Sequence, residues 1–242
     1  MKETVLDLLE VYNDPKFVFD PIAHKYTYEG KRFISVTQFI SDFHQKFDQD
    51  FWSKRKAEEA GVEQKEILEQ WKRINDRANE VGTATHNWIE NYFNGIYQTL
   101  PSDIDVIDRI NKFNVIYATH LHKLTPIRFE QRIFSKKWMI AGTIDSIFLY
   151  KDKIVMVDWK TNKKFSEFSE YGEKLLNPFI DYDKCHLNEY SIQISLYSMI
   201  LREIGIDVSV GYLCHIGPDS SAKIYRCHDF REILETHLKS TL

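Results

Sequence analysis

Asp145, Asp158 and Lys160 are the residues of this chain whose types and spacing best suit chemistry. They sit in two apolar runs, one through Ile140-Ala-Gly-Thr-Ile-Asp145 and one through Ile154-Val-Met-Val-Asp-Trp-Lys-Thr161, with Lys151-Asp152-Lys153 between them. Runs rich in β-branched and aromatic residues flanking a short polar break predict a hairpin. Side chains alternate along a strand, so Ile154, Met156, Asp158 and Lys160 share one face and Val155, Val157 and Trp159 the other. A carboxylate and an ammonium thus leave the end of an apolar strand together. Arms of nearly equal length can bring Asp145 opposite them. Two carboxylates and a lysine at the edge of a buried sheet make a site for a divalent cation and its activated water.

Further candidates lie on either side of the hairpin. Gly82-Thr-Ala-Thr-His86 precedes a segment with helical spacing, in which His86 and Glu90 share a face. Gly82 allows close approach of backbone or ligand near the expected helix start, with Thr83 or Thr85 as its cap. His86 is a candidate metal ligand, and Glu90 is either a ligand or the residue that orients His86. Downstream, Gln193 and Tyr197 are again four apart on a helix and present polar heads together, although Tyr197 also reads as core.

The elements that must position these residues follow from the pattern. A short helix over 1–14 leads to a hairpin through Phe17-Val-Phe-Asp and His24-Lys-Tyr-Thr-Tyr, turning at Glu29-Gly30. Ser35-Val-Thr37 opens an amphipathic helix. Residues 48–81 read as a polar helix–turn–helix excursion broken at Gly61, which either covers a cleft, guides a nucleic-acid strand or is a surface appendage. A helix over 101–122 is expected to bury Ile104, Ile107, Ile110 and Phe113 or Val115. Strands near 127–134, 138–150 and 153–160 form a meander. After an irregular connection come a helix over 188–201, further strands and a final helix. The fold class is α/β (mixed α+β), a central mixed sheet flanked by helices. Residues 1–81 read as an N-terminal hairpin and helical elaboration and 82–242 as the core, packed as one unit.

The 242 residues carry a net charge of −4 with 43% hydrophobic residues, which fits a globular chain and excludes a protein that coats nucleic acid through its bulk field. A local basic groove remains compatible with that charge. No run approaches the ~20 apolar residues of a membrane span. The first residues carry acids rather than an apolar leader, so a cytoplasmic protein is expected. Cys185, Cys214 and Cys227 are odd in number and scattered, which indicates reduced thiols.

Taken together, Asp145 and Asp158-Trp159-Lys160 resemble the signature of the PD-(D/E)xK nuclease superfamily, with Ile144 where its name has proline. Gly82-Thr-Ala-Thr-His86 and Gln193-Ile-Ser-Leu-Tyr197 resemble the histidine and Q-x-x-x-Y motifs of the RecB-like exonuclease branch. His24-Lys-Tyr through Ser35-Val-Thr37 is similar to phage exonucleases and to the mitochondrial genome-maintenance exonuclease. The resemblance covers roughly residues 20–215 and implies a restriction-endonuclease-like α-β-β-β-α-β core. It implies a metal-dependent DNA exonuclease acting on single-stranded DNA or DNA ends in replication, repair or recombination, with or without partner proteins from those processes. Mg²⁺ or Mn²⁺ would be held by Asp145, Asp158, His86 and the carbonyl of Trp159, with Glu130 at the upstream acidic position.

Beside the metal, Lys160 orients water and stabilises charge rather than acting as a base, since two carboxylates keep it protonated. Gln193, Tyr197, Thr83, Thr161, Arg128, Arg132 and Lys163 are candidate substrate contacts. The resemblance implies no iron–sulfur cluster, since the members that hold one place a cysteine before the core and here all three follow Lys160, and no P-loop for ATP is present. A structure-specific endonuclease and a non-catalytic DNA-binding module are the competing readings, and a monomer or a small homo-oligomer fits either.

Overall fold

The computed structural model describes residues 1–21, 23, 25–218 and 222–241; His24, at the start of the expected second strand, lies outside them. The chain opens with α1 (Lys2–Leu9) and a 3-10 turn, then β1 (Phe17–Asp20), β2 (Lys25–Tyr28) and β3 (Lys31–Ser35). Glu29 and Gly30 turn β2 into β3 with φ of 49° and 77°, the left-handed pair that a two-residue hairpin turn requires. Ser35 caps α2 (Val36–Ser41) by accepting from the Gln38 amide.

The polar excursion is a helical arm. It comprises α3 (Gln49–Ala60), capped by the Asp48 side chain and stopped at left-handed Gly61, and then α4 (Gln64–Phe93), which opens on a Glu63/Glu66 capping box. The expected helix start at Gly82 is not there, because α4 runs unbroken for 30 residues through it. Thr85 caps nothing and donates to the Val81 carbonyl one turn back. Gly82 lies where α4 comes close to the chain just past β6: a Cβ there would sit 3.1 Å from Thr161 Oγ1. The boundary between 81 and 82 therefore falls inside a single helix.

Next, α5 (Ile104–Ile116) and a π turn (Tyr117–Leu121) lead into the meander of β4 (Thr125–Ser135), β5 (Ile140–Tyr150) and β6 (Lys153–Lys160). As expected, α5 buries Ile110 and Phe113, together with Val106 and Ile116, whereas Ile104 and Val115 are exposed. The irregular stretch 161–185 is followed by α6 (His186–Arg202), β7 (Val208–His215), β8 (Lys223–Arg226) and α7 (Arg231–Thr241).

All eight strands form one sheet, ordered β1-β2-β3-β5-β6-β7-β8, with β4 on the second edge of β5. The edge of β5 opposite β4 is shared by two strands. There β6 pairs antiparallel with Ser146 to Tyr150, while β3 pairs parallel with Ile140 and Ala141. Asp145 stands at the fork between them. Beyond it, β6 and β7 run parallel, so the sheet is mixed. Packed on one face are α1, α2, α6 and α7, through Ile154, Met156, Ile192 and Leu196 among others. On the other, α4 and α5 pack against Phe148, Val155, Val157 and Trp159. This mixed α/β architecture, with its N-terminal extension, matches a restriction-endonuclease-like core.

Candidate metal centre

Period-two alternation sends Trp159 and Asp158 in opposite directions, and that split builds the site. Trp159 is fully buried, with its indole N–H donating to Ser146 Oγ at 3.0 Å and its ring edge-on to Phe113. The strand end is thereby anchored from the α5 side. Asp158 and Lys160 turn toward α6.

Three donors converge at the fork. His86, Glu130 and Asp145 each offer an atom within 4.8 Å of the other two. His86 Nδ1 lies 3.6 Å from Glu130 Oε1 and 3.5 Å from Asp145 Oδ2. Its other nitrogen, Nε2, donates to the Trp159 carbonyl at 3.0 Å, which fixes the tautomer and leaves Nδ1 to face the carboxylates. Asp145 Oδ2 also accepts from the Trp159 amide at 2.8 Å. Trp159 thus braces two of the three donors with its own backbone. Its carbonyl, expected as a direct ligand, accepts from His86 Nε2.

Glu130 enters through an irregularity. Phe129 pairs with Ser146 and Gln131 with Ile144, so Glu130 stands across from Asp145 with φ of 45°. A left-handed non-glycine residue inside a strand is strained, and strain of this kind concentrates at functional sites. Sequence pattern alone could not reveal it.

Asp158 stands apart from the trio. It is 2% exposed, and its Oδ2 is 2.7 Å from Lys160 Nζ, an ionic contact whose angle falls short of a hydrogen bond. Lys160 in turn donates to Gln193 Oε1 at 3.2 Å, and Gln193 Nε2 donates to Tyr197 Oη at 3.0 Å. The ammonium also lies 3.9 Å above the Tyr190 ring. Tyr190 was not singled out from the sequence, yet its spacing of three from Gln193 on the same helix is the signal that could have done so. The α6 helix can press this close to β5 because position 142 is glycine. A Cβ there would lie 2.6 Å from Tyr197 Cε1.

The remaining candidates are spread out. Glu90 lies one turn along α4, outside the trio, where burial and then the nearby Glu130 raise its pKa. Thr161 packs against Gly82. Thr83 is exposed on α4, in a groove it shares with Asp76 and Glu80. Arg128 is committed to Glu10 at 2.7 Å, and Arg132 lies over the Phe19 ring. Lys163 is exposed just past β6.

The charges shift one another strongly. Burial alone would lower the His86 pKa, but Asp145, Glu130 and Asp158 outweigh it and raise it to about 9. Burial raises Asp145, and it raises Asp158 to about 6 with help from Asp145. Burial likewise pulls Lys160 down, yet Asp158, Tyr190 and Asp145 more than reverse this, so the ammonium stays charged at neutral pH.

The donor set fits a divalent cation. One imidazole nitrogen and two carboxylates suit Mn²⁺, and the oxygens suit Mg²⁺. At ligand distances of ~2.1 Å, donors on one ion lie up to ~4.2 Å apart, so the trio needs to contract by less than ~1 Å. Until a cation arrives, the protonated imidazole supplies the positive charge that the carboxylates need.

The chain is thus a restriction-endonuclease-like fold with a metal-competent His–Glu–Asp trio at the fork of its sheet. No family model matches it, and no curated protein matches it. Among solved structures it is similar to a "Putative exonuclease" from Eubacterium rectale, at 12% identity and a TM-score of 0.43, over 68% of this chain and 64% of that one, just under two thirds of its length. It is also similar to the protein SSO0001, at 15% identity and a TM-score of 0.31, over 99% of this chain and 85% of that one. Neither likeness is close enough to transfer a residue's role. Among the described residues, no helix is long and apolar enough to cross a membrane.

Proposed function

We propose that this chain is a divalent-metal-dependent deoxyribonuclease of the RecB-like PD-(D/E)xK kind that hydrolyses phosphodiester bonds from DNA ends. The observation that carries the reading is the His86–Glu130–Asp145 trio set beside the buried Asp158–Lys160 pair. His86, Glu130 and Asp145 would hold Mn²⁺ or Mg²⁺, with Asp158 joining them when its carboxylate leaves Lys160. When bound, the ion supplies Lewis acidity and a water of lowered pKa. Lys160, kept protonated, offers its N–H groups to the charge that develops on the phosphoryl oxygens. Gln193 aims Lys160, and Tyr197 holds Gln193, so the polar heads of α6 orient the ammonium rather than move protons. As the water oxygen bonds to phosphorus, the ester P–O bond breaks, and the leaving oxygen takes up a proton.

A preference for single-stranded DNA is supported by the arm. Phe47, Phe51 and Trp52 are exposed at its base and along α3. Exposed aromatics among cationic side chains are what unpaired bases stack on. The same reading places the protein in the cytoplasm, working on DNA as a monomer or small homo-oligomer.

Incubating end-labelled linear DNA, single-stranded and duplex, and covalently closed circles with each metal tests the proposal. Linear single strands should disappear first and circles persist. Circles cut as fast as linear DNA would refute end dependence, and full activity in Asp158→Ala would refute the site.

A further inference from the structure

One part of the sheet is left uncovered, at the end where β6 and β7 begin. On the α4/α5 face, cover from α5 and its π turn stops at Leu121 and Leu124. Beyond them Val155, Val210, Tyr212 and Ile224 floor a cavity of about 520 Å³. Pockets for small molecules commonly span ~300–1,000 Å³. The rim carries Lys123, Lys153 and Arg226, all exposed, and no carboxylate lines the cavity. Among the described residues, none of these three side chains has an ion-pair or hydrogen-bond partner.

Elsewhere on this protein many cations are matched. Lys54 has Asp50, Lys72 has Asp76 and Arg77 has Asp103. Three unmatched cations around one apolar floor, on a chain of net charge −4, repel one another until an anion joins them. The floor adds a second requirement, since Tyr212 with flanking branched aliphatics favours a flat, apolar body over a bare ion.

We propose that this cavity binds a nucleotide, with the base or sugar on the Tyr212–Ile224 floor and the phosphate at the Lys123–Lys153–Arg226 rim. The floor belongs to the α4/α5 face of the sheet, whereas the Asp158–Lys160 pair turns to the opposite face beside α6, so the occupant does not touch that pair. Two sources share this chemistry: a free nucleoside monophosphate, and one unit of a longer single strand. The inference does not depend on the nuclease reading.

Binding is measured with excess chelator, so that nothing is cleaved, using dAMP by calorimetry and a fluorescein-labelled oligothymidylate by anisotropy. The variants are Lys153→Glu/Arg226→Glu and Lys123→Glu, all at exposed side chains, with melting curves to check folding and Lys31→Gln, an exposed cation outside the cavity, as the control. The expected result is a loss of about tenfold or more in the charge-reversal variants and none in the control. A loss for dAMP alone assigns a free nucleotide, and a loss for the oligonucleotide assigns a strand. Affinities for both ligands that match wild type in the charge-reversal variants would overturn the proposal. So would inorganic phosphate binding as tightly as dAMP, or an acidic peptide binding where neither nucleotide ligand does.

Discussion

Binding of Mn²⁺ at the trio should release a proton from His86. With no cation present, the imidazole keeps its proton up to about pH 9, held by Asp145 and Glu130 against the opposing effect of burial. A ligating nitrogen must be bare, so binding at neutral pH has to remove that proton first. From pH 7 to about 9 the gap costs roughly 2.7 kcal/mol at ~1.36 kcal/mol per unit, or about a hundredfold in apparent affinity. Asp158, raised to about 6, is mostly ionised at pH 7 and adds little. Calorimetric titration with Mn²⁺ in two buffers of different ionisation enthalpy counts the protons directly. About one should be released per ion at pH 7, and the apparent affinity should rise roughly tenfold per pH unit up to about pH 9. His86→Asn should bind more weakly, release no proton and show a flat pH dependence. Tight Mn²⁺ binding by the wild type at pH 7 without proton release would refute the assignment of Nδ1 as a ligand.

Other expectations follow from the same contacts. The folded state holds the His86 proton more tightly than the unfolded chain, so His86 contributes stability that is fully present below about pH 6.5 and lost as pH rises through about 9. The loss amounts to ~3 kcal/mol in chemical denaturation of the metal-free protein, and a flat profile would refute it. Lys160→Met strands a buried carboxylate, so at pH 8 it should destabilise by ~3 kcal/mol. The penalty should shrink as pH falls toward about 6, because Asp158 without Lys160 takes up its proton at a higher pH than in the wild type, and a variant as stable as wild type at pH 8 would contradict the pair's role. Gly142→Ala drives a methyl to 2.6 Å from Tyr197 Cε1 and should cost ~1–3 kcal/mol in melting experiments; an unchanged melting temperature would mean α6 can retreat freely. Gln193→Ala should lower kcat about tenfold with Mn²⁺ affinity unchanged, because it frees Lys160 without touching the trio.

Local rules carried much of this fold. Alternation along Ile154 to Lys160 placed Asp158 and Lys160 together and Trp159 opposite, and the structure shows that division between the two cores. The i,i+4 spacing of Gln193 and Tyr197 became a direct hydrogen bond. What stayed hidden was non-local. Gly82 reads as punctuation because a mid-helix glycine is costly, and only the approach of Thr161 explains its place inside α4. On α5 the stripe through Ile110 and Phe113 was legible, while Ile104 lies off it because the face turns to set Val106 on α4 and Ile116 on the sheet. Glu130 was reached through the family resemblance alone, since its aim depends on a backbone angle forced by the pairing on either side. Likewise Asp158 is held by Lys160 rather than by the trio, an outcome of rotamer and charge that residue types leave open.

The unbroken course of α4 makes the arm and the metal centre mechanically one piece. Thirty residues of α-helix are a rod of about 45 Å, with its far end beside α3 and with His86 near the sheet. Arg77 clamps it to Asp103 and Asp105 on the way, at 2.6 to 2.7 Å, and so supplies a fulcrum between the two ends. A load on the exposed aromatics of α3 is therefore a torque on the imidazole. On the proposed reading, contact with DNA at one end and donor geometry at the other would be set by the tilt of a single lever.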